Sequence, residues 1–493
     1  MLTTLTAPAF AGTWYIEDGD ITISAGESGN DVTQKGETTY GDKDTVITNH
    51  DKDKASSNTV TIEAKDKDDK VEVTLKDLNI DASRGSEAAV SVTGKGDTNI
   101  ELDGDNELKG GDRHAGLEHN QTVDGEGNVT SGKLTIQDDN DKAGSLTATG
   151  GYFGAGIGGG SAKAGQVTIT GGTITATGED GAGIGGGQGN MSSSAGNADI
   201  EISGGTITAA GGDLSAGIGG GTWGDANIKI TGDAVIKNAT GGAFGAGIGG
   251  GGGGNGDVTI SGNAKIENAQ GGFTGSGIGG GNGASGTVTI KDDSTVTATG
   301  GEAGTGIGGG YAGLGDVTIE GNTTVNATGG VGSAGIGGGV DSVNDAAGNG
   351  NKITIKGNES GSPTVKAVGG GTNKENQVFI GGAGIGSGAG DAKANITLEG
   401  KVTIVAKAGE GNAAIGANGI EQEFSGLAEG SSITRYDSEG NDISLPGDKV
   451  SVTETSSGGG SADASVQESV FPGLVVTDKD GQRISYTSIR GNN

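Results

Sequence analysis

Aromatic side chains make up only 3% of this chain, yet six of them stand beside one recurring phrase: Tyr152, Phe153, Trp223, Phe244, Phe273 and Tyr311. Phe153, Leu214 and Phe244 each precede an isoleucine by four residues, and Phe273 is one place off that column. Rings exposed in a row, with Asn, Thr and Asp nearby to bond hydroxyls, have the chemistry needed to stack on sugar rings. The competing account is that they cover corners and pack on one another.

Carboxylates come next. Asp138-Asp139-Asn140-Asp141 and Asp478-Lys479-Asp480-Gly481 place oxygen ligands at alternate positions, as calcium loops do, without the spaced bidentate Glu of an EF-hand. Weak calcium binding through Asp138, Asp139 and Asp141 is what that pattern allows; solvated turns are the plainer account. Of the three histidines, His50, His114 and His119, the last two lie near Asp112, Arg113 and Glu118, a set with the chemistry of a metal or acid/base cluster. A turn in an irregular region is where surface residues are expected.

Other chemistries lose ground. With no cysteine, thiol nucleophiles, thiolate metal sites and disulfides are excluded. A phosphate-cradling reading of the glycine phrase needs a following helix and a suitably placed Lys, Ser or Thr, and both are missing. A polysaccharide lyase wants a base beside calcium carboxylates, and a hydrolase wants paired carboxylates. All five arginines (Arg84, Arg113, Arg435, Arg483, Arg490) lie outside the regular repeat, and no acidic pair recurs on neighbouring units. A non-catalytic protein is therefore expected.

The elements that would position these residues follow from the phrase itself. Gly154-Ala155-Gly156-Ile157-Gly158-Gly159-Gly160 returns around Ile184, Ile218, Ile248, Ile278, Ile307, Ile336, Ile385 and Ile415, at intervals of 27 to 34 residues except for one of 49. Such a period marks a unit that becomes stable by stacking on copies of itself. Within each unit come a Val-Thr-Ile-type strand, a glycine corner and a Thr-Ile-Thr-Ala-type strand, as in Val167–Thr170 and Thr173–Ala176. Alternation of β-branched residues predicts half-buried strands. The fold class is all-β: a single-stranded, right-handed parallel β-helix with three short strands per coil of about 30 residues and a small C-terminal extension. The 111 glycines would melt helices, and collagen-like spacing is absent. Glycine suits corners of positive φ and leaves a wall nearly free of side chains. A flat threonine rank of the ice-binding kind is not expected, because Thr175 and Thr208 are followed in their column by Lys237, Glu267, Thr297, Asn326 and Lys366.

Along the chain, residues 1–11 read as the tail of an export signal, with Ala9-Phe10-Ala11 as a small-x-small site. Residues 12–150 are irregular first coils, with Ala115-Gly116-Leu117-Glu118 as a decayed copy of the phrase; 151–419 are the regular glycine-rich coils. Residues 420–455 are expected to cap the last coil, and 456–493 to form a linker and a tail or partial β module. Val340–Asn351 and Thr372–Val378 read as inserted loops. Acidic residues outnumber basic ones by 63 to 31, for a formal charge of −32. That field repels nucleic acid and anionic membrane surfaces. No run of 18 apolar residues occurs, so no membrane-spanning helix is expected.

Leu75–Ala82, Ile100–Leu108 and the serial Ala-Gly-Ile-Gly-Gly-Gly units resemble the pectate-lyase-like, carbohydrate-binding β-helix domains of secreted and surface proteins of Gram-positive bacteria. The resemblance covers roughly residues 12–420 and rests on scaffold motifs, so no ligand residue carries over individually. It implies a secreted or cell-surface protein that binds a polysaccharide or cell-surface glycan, sometimes with calcium, without catalysis. Self-association is compatible with it. Two other readings stay open: a structural stalk or surface-layer component, and a degenerate calcium-dependent polysaccharide lyase.

Overall fold

The computed structural model describes residues 11–140, 142–189, 196–373, 375, 378 and 380–450. Residues 1–10 of the export-type segment, Asp141, and the tail 456–493 with Asp478 and Asp480 lie outside them. In the unit beginning at Ile248, alternation fixes three walls. The first is Ile248–Gly249; the second is Gly256–Ile260, with Val258 and Ile260 inward; the third is Lys265–Gln270, with Ile266 and Ala269 inward. Each wall pairs in parallel with its counterpart one unit on: Ile248 with Ile278, Val258 with Val288, Ile266 with Val296. The chain runs first wall, second, third and back to the first, so every unit is one turn of a right-handed parallel β-helix. Among the described residues, thirteen strands stack in the first wall, from Ile21–Ala25 to Ile415–Ala417. At about 4.8 Å per coil the stack is roughly 60 Å long.

No coil has a core of its own. Five or so apolar side chains point inward per turn, and each is buried by the like residue above and below. Ile157, Ile184, Ile218, Ile248, Ile278 and Ile307 are all fully buried this way. One such side chain contributes about 1.5–3 kcal/mol, so stability accrues along columns. Leu117 pairs with Val90 on one side and Ile157 on the other, which carries the ladder unbroken from the charged early coils into the glycine-rich ones.

Both ends of the described ladder are closed. At the start, Asn30–Gln34 folds back antiparallel on Ile21–Ala25, and Glu37–Asp42 on it in turn. The fully buried Asp42 carboxylate accepts from Gly12 N at 2.9 Å and Trp14 Nε1 at 2.8 Å. At the other end, Ile420–Glu421 folds back on Ile415–Ala417, and Ser432–Tyr436 adds a last strand to the third wall. From that strand Arg435, fully buried, donates to both oxygens of Asp448 at 2.8 and 2.9 Å and to Glu421 Oε2 at 2.7 Å.

One expectation is sharpened and two need correction. The glycine phrase is a wall around a single inward isoleucine, as expected, but a pinched one. From Ile157 to Ile385, the N–H two residues before each plug isoleucine donates to the carbonyl two residues after it, as from Ala155 to Gly159 and from Ala246 to Gly250, pinching the phrase into a narrow buried loop. The glycine after the isoleucine shows why. Gly158 has φ +128°, and a Cβ there would stand 2.1 Å from the carbonyl oxygen of Gly185 in the next coil. Secondly, the 114–119 cluster is largely interior. His119 is 2% exposed, with its ring nitrogens 3.1 and 2.9 Å from the carbonyls of Val92 and Gly132, and Glu118 is 6% exposed, bonded to His114, Ala115 N and Asn120. Leu117–His119 is a strand of the first wall, so its side chains meet the stack. Thirdly, a bulge puts Asn238, not Lys237, opposite Thr208, and Asn268 bonds Asn238 at 2.6 Å. An unbroken rank runs instead on the second wall: Thr259, Thr289, Thr318, Thr354 and Thr397.

Candidate functional site: an aromatic seam beside the pinched loops

Because the phrase is pinched, its two shoulders meet at the surface. The N–H four residues after a plug isoleucine donates to the carbonyl four residues before the plug of the preceding coil: Gln188 to Phe153, Gly252 to Leu214, Asn282 to Phe244, Tyr311 to Thr274. The next residue along donates upward to the following coil, as Trp223 does to Gly252, Gly253 to Asn282 and Gly283 to Tyr311. In six coils that residue is left-handed: φ is 55° at Ala162, 60° at Trp223, 84° at Gly253, 72° at Gly283, 55° at Ala312 and 60° at Asp341. A rigid, backbone-tied seam results.

The aromatic residues ride on this seam. Tyr152, Trp223, Phe244 and Phe273 are 50%, 48%, 38% and 52% exposed, while Phe153 and Tyr311 are partly covered. Trp223, Phe244, Phe273 and Tyr311 fall on four successive coils, with Tyr152 and Phe153 at the earlier end. Trp223 takes a backbone conformation that costs a side-chain-bearing residue about 1–2 kcal/mol. Its indole lies against the backbone of Gly253, where a Cβ would come within 2.2 Å of ring atom Cε3. Tyr311 is held by its hydroxyl, which donates to Asp341 Oδ2 at 2.7 Å, and that bond pushes the phenol above its ordinary range. Among the described residues, ring-to-ring contacts are Tyr152 with Phe153, centroids 4.0 Å apart, and Tyr15 with His50. Mutual packing thus accounts for one pair in the seam, with the Arg113 guanidinium 5.8 Å over the Phe153 ring. The other four rings make no ring-to-ring contact among the described residues; Trp223 is braced by the backbone of Gly253 and Tyr311 by the side chain of Asp341.

The carboxylate cluster is placed differently. Asp138 Oδ2 accepts from Gly144 N at 3.1 Å, closing the corner between the second and third walls. Asp139 and Asn140 donate their backbone N–H groups to Glu101 Oε1 at 3.2 and 3.3 Å. Among the described residues, no three His, Asp or Glu side chains converge as a metal site would require. The inserted loop after Gly339 turns on Asp345, whose oxygens take the N–H groups of Ala347 and Asn349. Sequence reasoning missed the supports of the seam, Gly253 and Asp341. Both occupy the left-handed position five residues after a plug isoleucine, a column that counting from the isoleucine would have found.

A family model described as a β-helix repeat matches residues 142–161, 167–188, 200–222, 288–311 and 317–340. No curated protein and no solved structure matches the chain. The matched segments are turns of the parallel ladder described above, three before and two after the turns around Ile248 and Ile278, and the chain contains a β-helix domain.

Proposed function

We propose that this is a secreted or cell-surface β-helix protein that binds polysaccharide or cell-surface glycan without catalysis, and that the aromatic seam is where the glycan lies. The observation that carries the reading is the set of four partly exposed rings, Trp223, Phe244, Phe273 and Tyr311, on successive coils, two of them, Trp223 and Tyr311, held in place. Ring faces offered to a sugar gain apolar contact, and immobile side chains lose little freedom on binding. Asn282 and Asp341, beside the rings, supply hydrogen bonds to hydroxyls.

A glycan array probed with the full chain, with and without calcium, is the test. Binding should appear without added calcium. Replacing Trp223 and Phe244 together by alanine should weaken it by about tenfold or more, since each lost stacking contact is worth about 0.5–1.5 kcal/mol beyond area. The far-ultraviolet spectrum and melting temperature should stay close to those of the parent, because neither ring belongs to the inward columns. Unchanged affinity in a folded double variant removes the seam from the proposal, absence of binding to any glycan favours a stalk, and cleavage of an acidic polysaccharide favours a lyase.

A further inference from the structure

A concavity lies on the outer face of the second wall in the first coils, before the seam begins. It holds about 990 Å³ between the segment Thr13–Tyr15, the turn around Lys43, and Asp139, Asn140 and Lys142. Register explains its floor. Val46, Thr74, Glu101 and Gln137 form one outward column, and Glu72 with Asn99 a second. Tyr15 borders it, its ring stacked on His50 with centroids 3.8 Å apart and planes 8° from parallel.

Its charges are unbalanced. Lys142 and Lys76 both turn to Asp103, at 2.9 and 4.0 Å, and Asp103 is 6% exposed. Two of the three lysines in the groove are thereby engaged by one carboxylate. Among the described residues, Glu72, Glu101 and Asp139 have no ion-pair partner, and Glu101 Oε2 is shut from solvent without a hydrogen bond. Burial, together with Asp139 alongside, pushes the Glu101 carboxyl above its ordinary range. Such a groove favours cations, and the chain's formal charge of −32 draws them in. A compact metal ion is poorly served, since no three carboxylates converge. A ligand carrying amines at intervals can meet Glu72, Glu101 and Asp139 one at a time while Tyr15 offers a ring to stack on. The neutral donors and acceptors between them, Thr74, Asn99 and Gln137, suit a hydroxyl-rich backbone better than a peptide's side chains.

We propose that this groove is a separate binding site for an amine-bearing saccharide, of the class of glucosamine oligomers. Glu101 and Asp139 engage ammonium groups, Thr74, Asn99 and Gln137 engage hydroxyls, and Tyr15 stacks on a ring. The site lies on a different wall and on earlier coils than the seam and does not depend on the seam's function.

Calorimetric titration of the full chain with a glucosamine hexamer and with its fully N-acetylated counterpart tests it, with pentalysine and calcium chloride as further probes. The amine form should bind at least about tenfold more tightly than the acetylated form and than pentalysine. Glu101→Gln combined with Asp139→Asn should remove that preference. These changes conserve shape and relieve like-charge crowding, so the melting temperature should hold. Trp223→Ala with Phe244→Ala should leave hexamer binding unchanged, which separates this groove from the seam. Equal binding of the acetylated form, equal binding of pentalysine, competition by calcium, or parent-like affinity in the folded Glu101/Asp139 variant each overturns the proposal.

Discussion

Trp223 shows how one side chain can depend on an absent one. Its indole occupies the space that a Cβ on Gly253 would need, so Gly253→Ala should push the ring off the coil. Gly283 is the control. It has the same left-handed backbone, φ +72°, but open space within 4 Å of its Cβ position. Both changes carry the same backbone cost of about 1 kcal/mol, but only Gly253→Ala should shift tryptophan fluorescence and weaken glycan binding. Three aspartates act through their own turns in a comparable way. Asp124, Asp345 and Asp437 each stand four residues before an asparagine, accept its side-chain and backbone N–H groups, and are held below the ordinary carboxylate range by those bonds. A lowered folded value means that the stabilisation is complete above the unfolded value, about 3.9, and is lost as pH falls through the folded one. Hydrogen exchange at Asn128, Asn349 and Asn441 should therefore quicken below about pH 4, ahead of the amides of the plug isoleucines. Glu101 runs the other way: its raised value favours the native state at low pH and costs stability as pH rises through it.

At the scale of elements, the sequence made most of the second and third walls legible, because Val258-Thr259-Ile260 and its relatives alternate with a period of two and recur at intervals of 28 to 43 residues. The first wall was legible only through its recurring isoleucine, and its pinch was not. Gly-Ile-Gly carries no alternation to read, and a bond from two residues before to two residues after the isoleucine leaves no trace in residue type. The aromatic column was visible for the same reason as the strands, by counting from the isoleucine. The groove was not, since Tyr15, Glu72, Glu101 and Asp139 are far apart in sequence and meet only through the register of four coils. Legible too, once the register is known, is the last strand, Ser432–Tyr436, where an arginine stands at a position that points inward. Arg435→Ala would leave Asp448, 1% exposed, without its cation. Loss of one member of such a buried pair costs about 3–5 kcal/mol. Thermal unfolding should show the final coils melting first, with amides near Ile415 and Ile433 losing exchange protection before those near Ile157.

The described molecule is a stack in which each turn touches its two neighbours, and whole turns are interchangeable. From Ile248 to Ile278 is 30 residues, and Gly256 pairs in register with Gly286. Excising Asp257–Gly286 removes one turn and joins Gly256 to Thr287, leaving plug, corner and shoulder in place. That variant should fold cooperatively with a melting temperature near the parent's, whereas removing only Asp257–Gly271 should abolish the cooperative transition; calorimetry distinguishes the two. The pinched loop gives this modularity a history. Each glycine-rich turn brings its own isoleucine and its own shoulder, so a stretch of coding sequence one turn long can be copied or dropped without any compensating change elsewhere. Length is then the cheapest trait for such a lineage to vary, and a lengthened descendant would gain new ring positions along the same seam before it gained any new kind of contact.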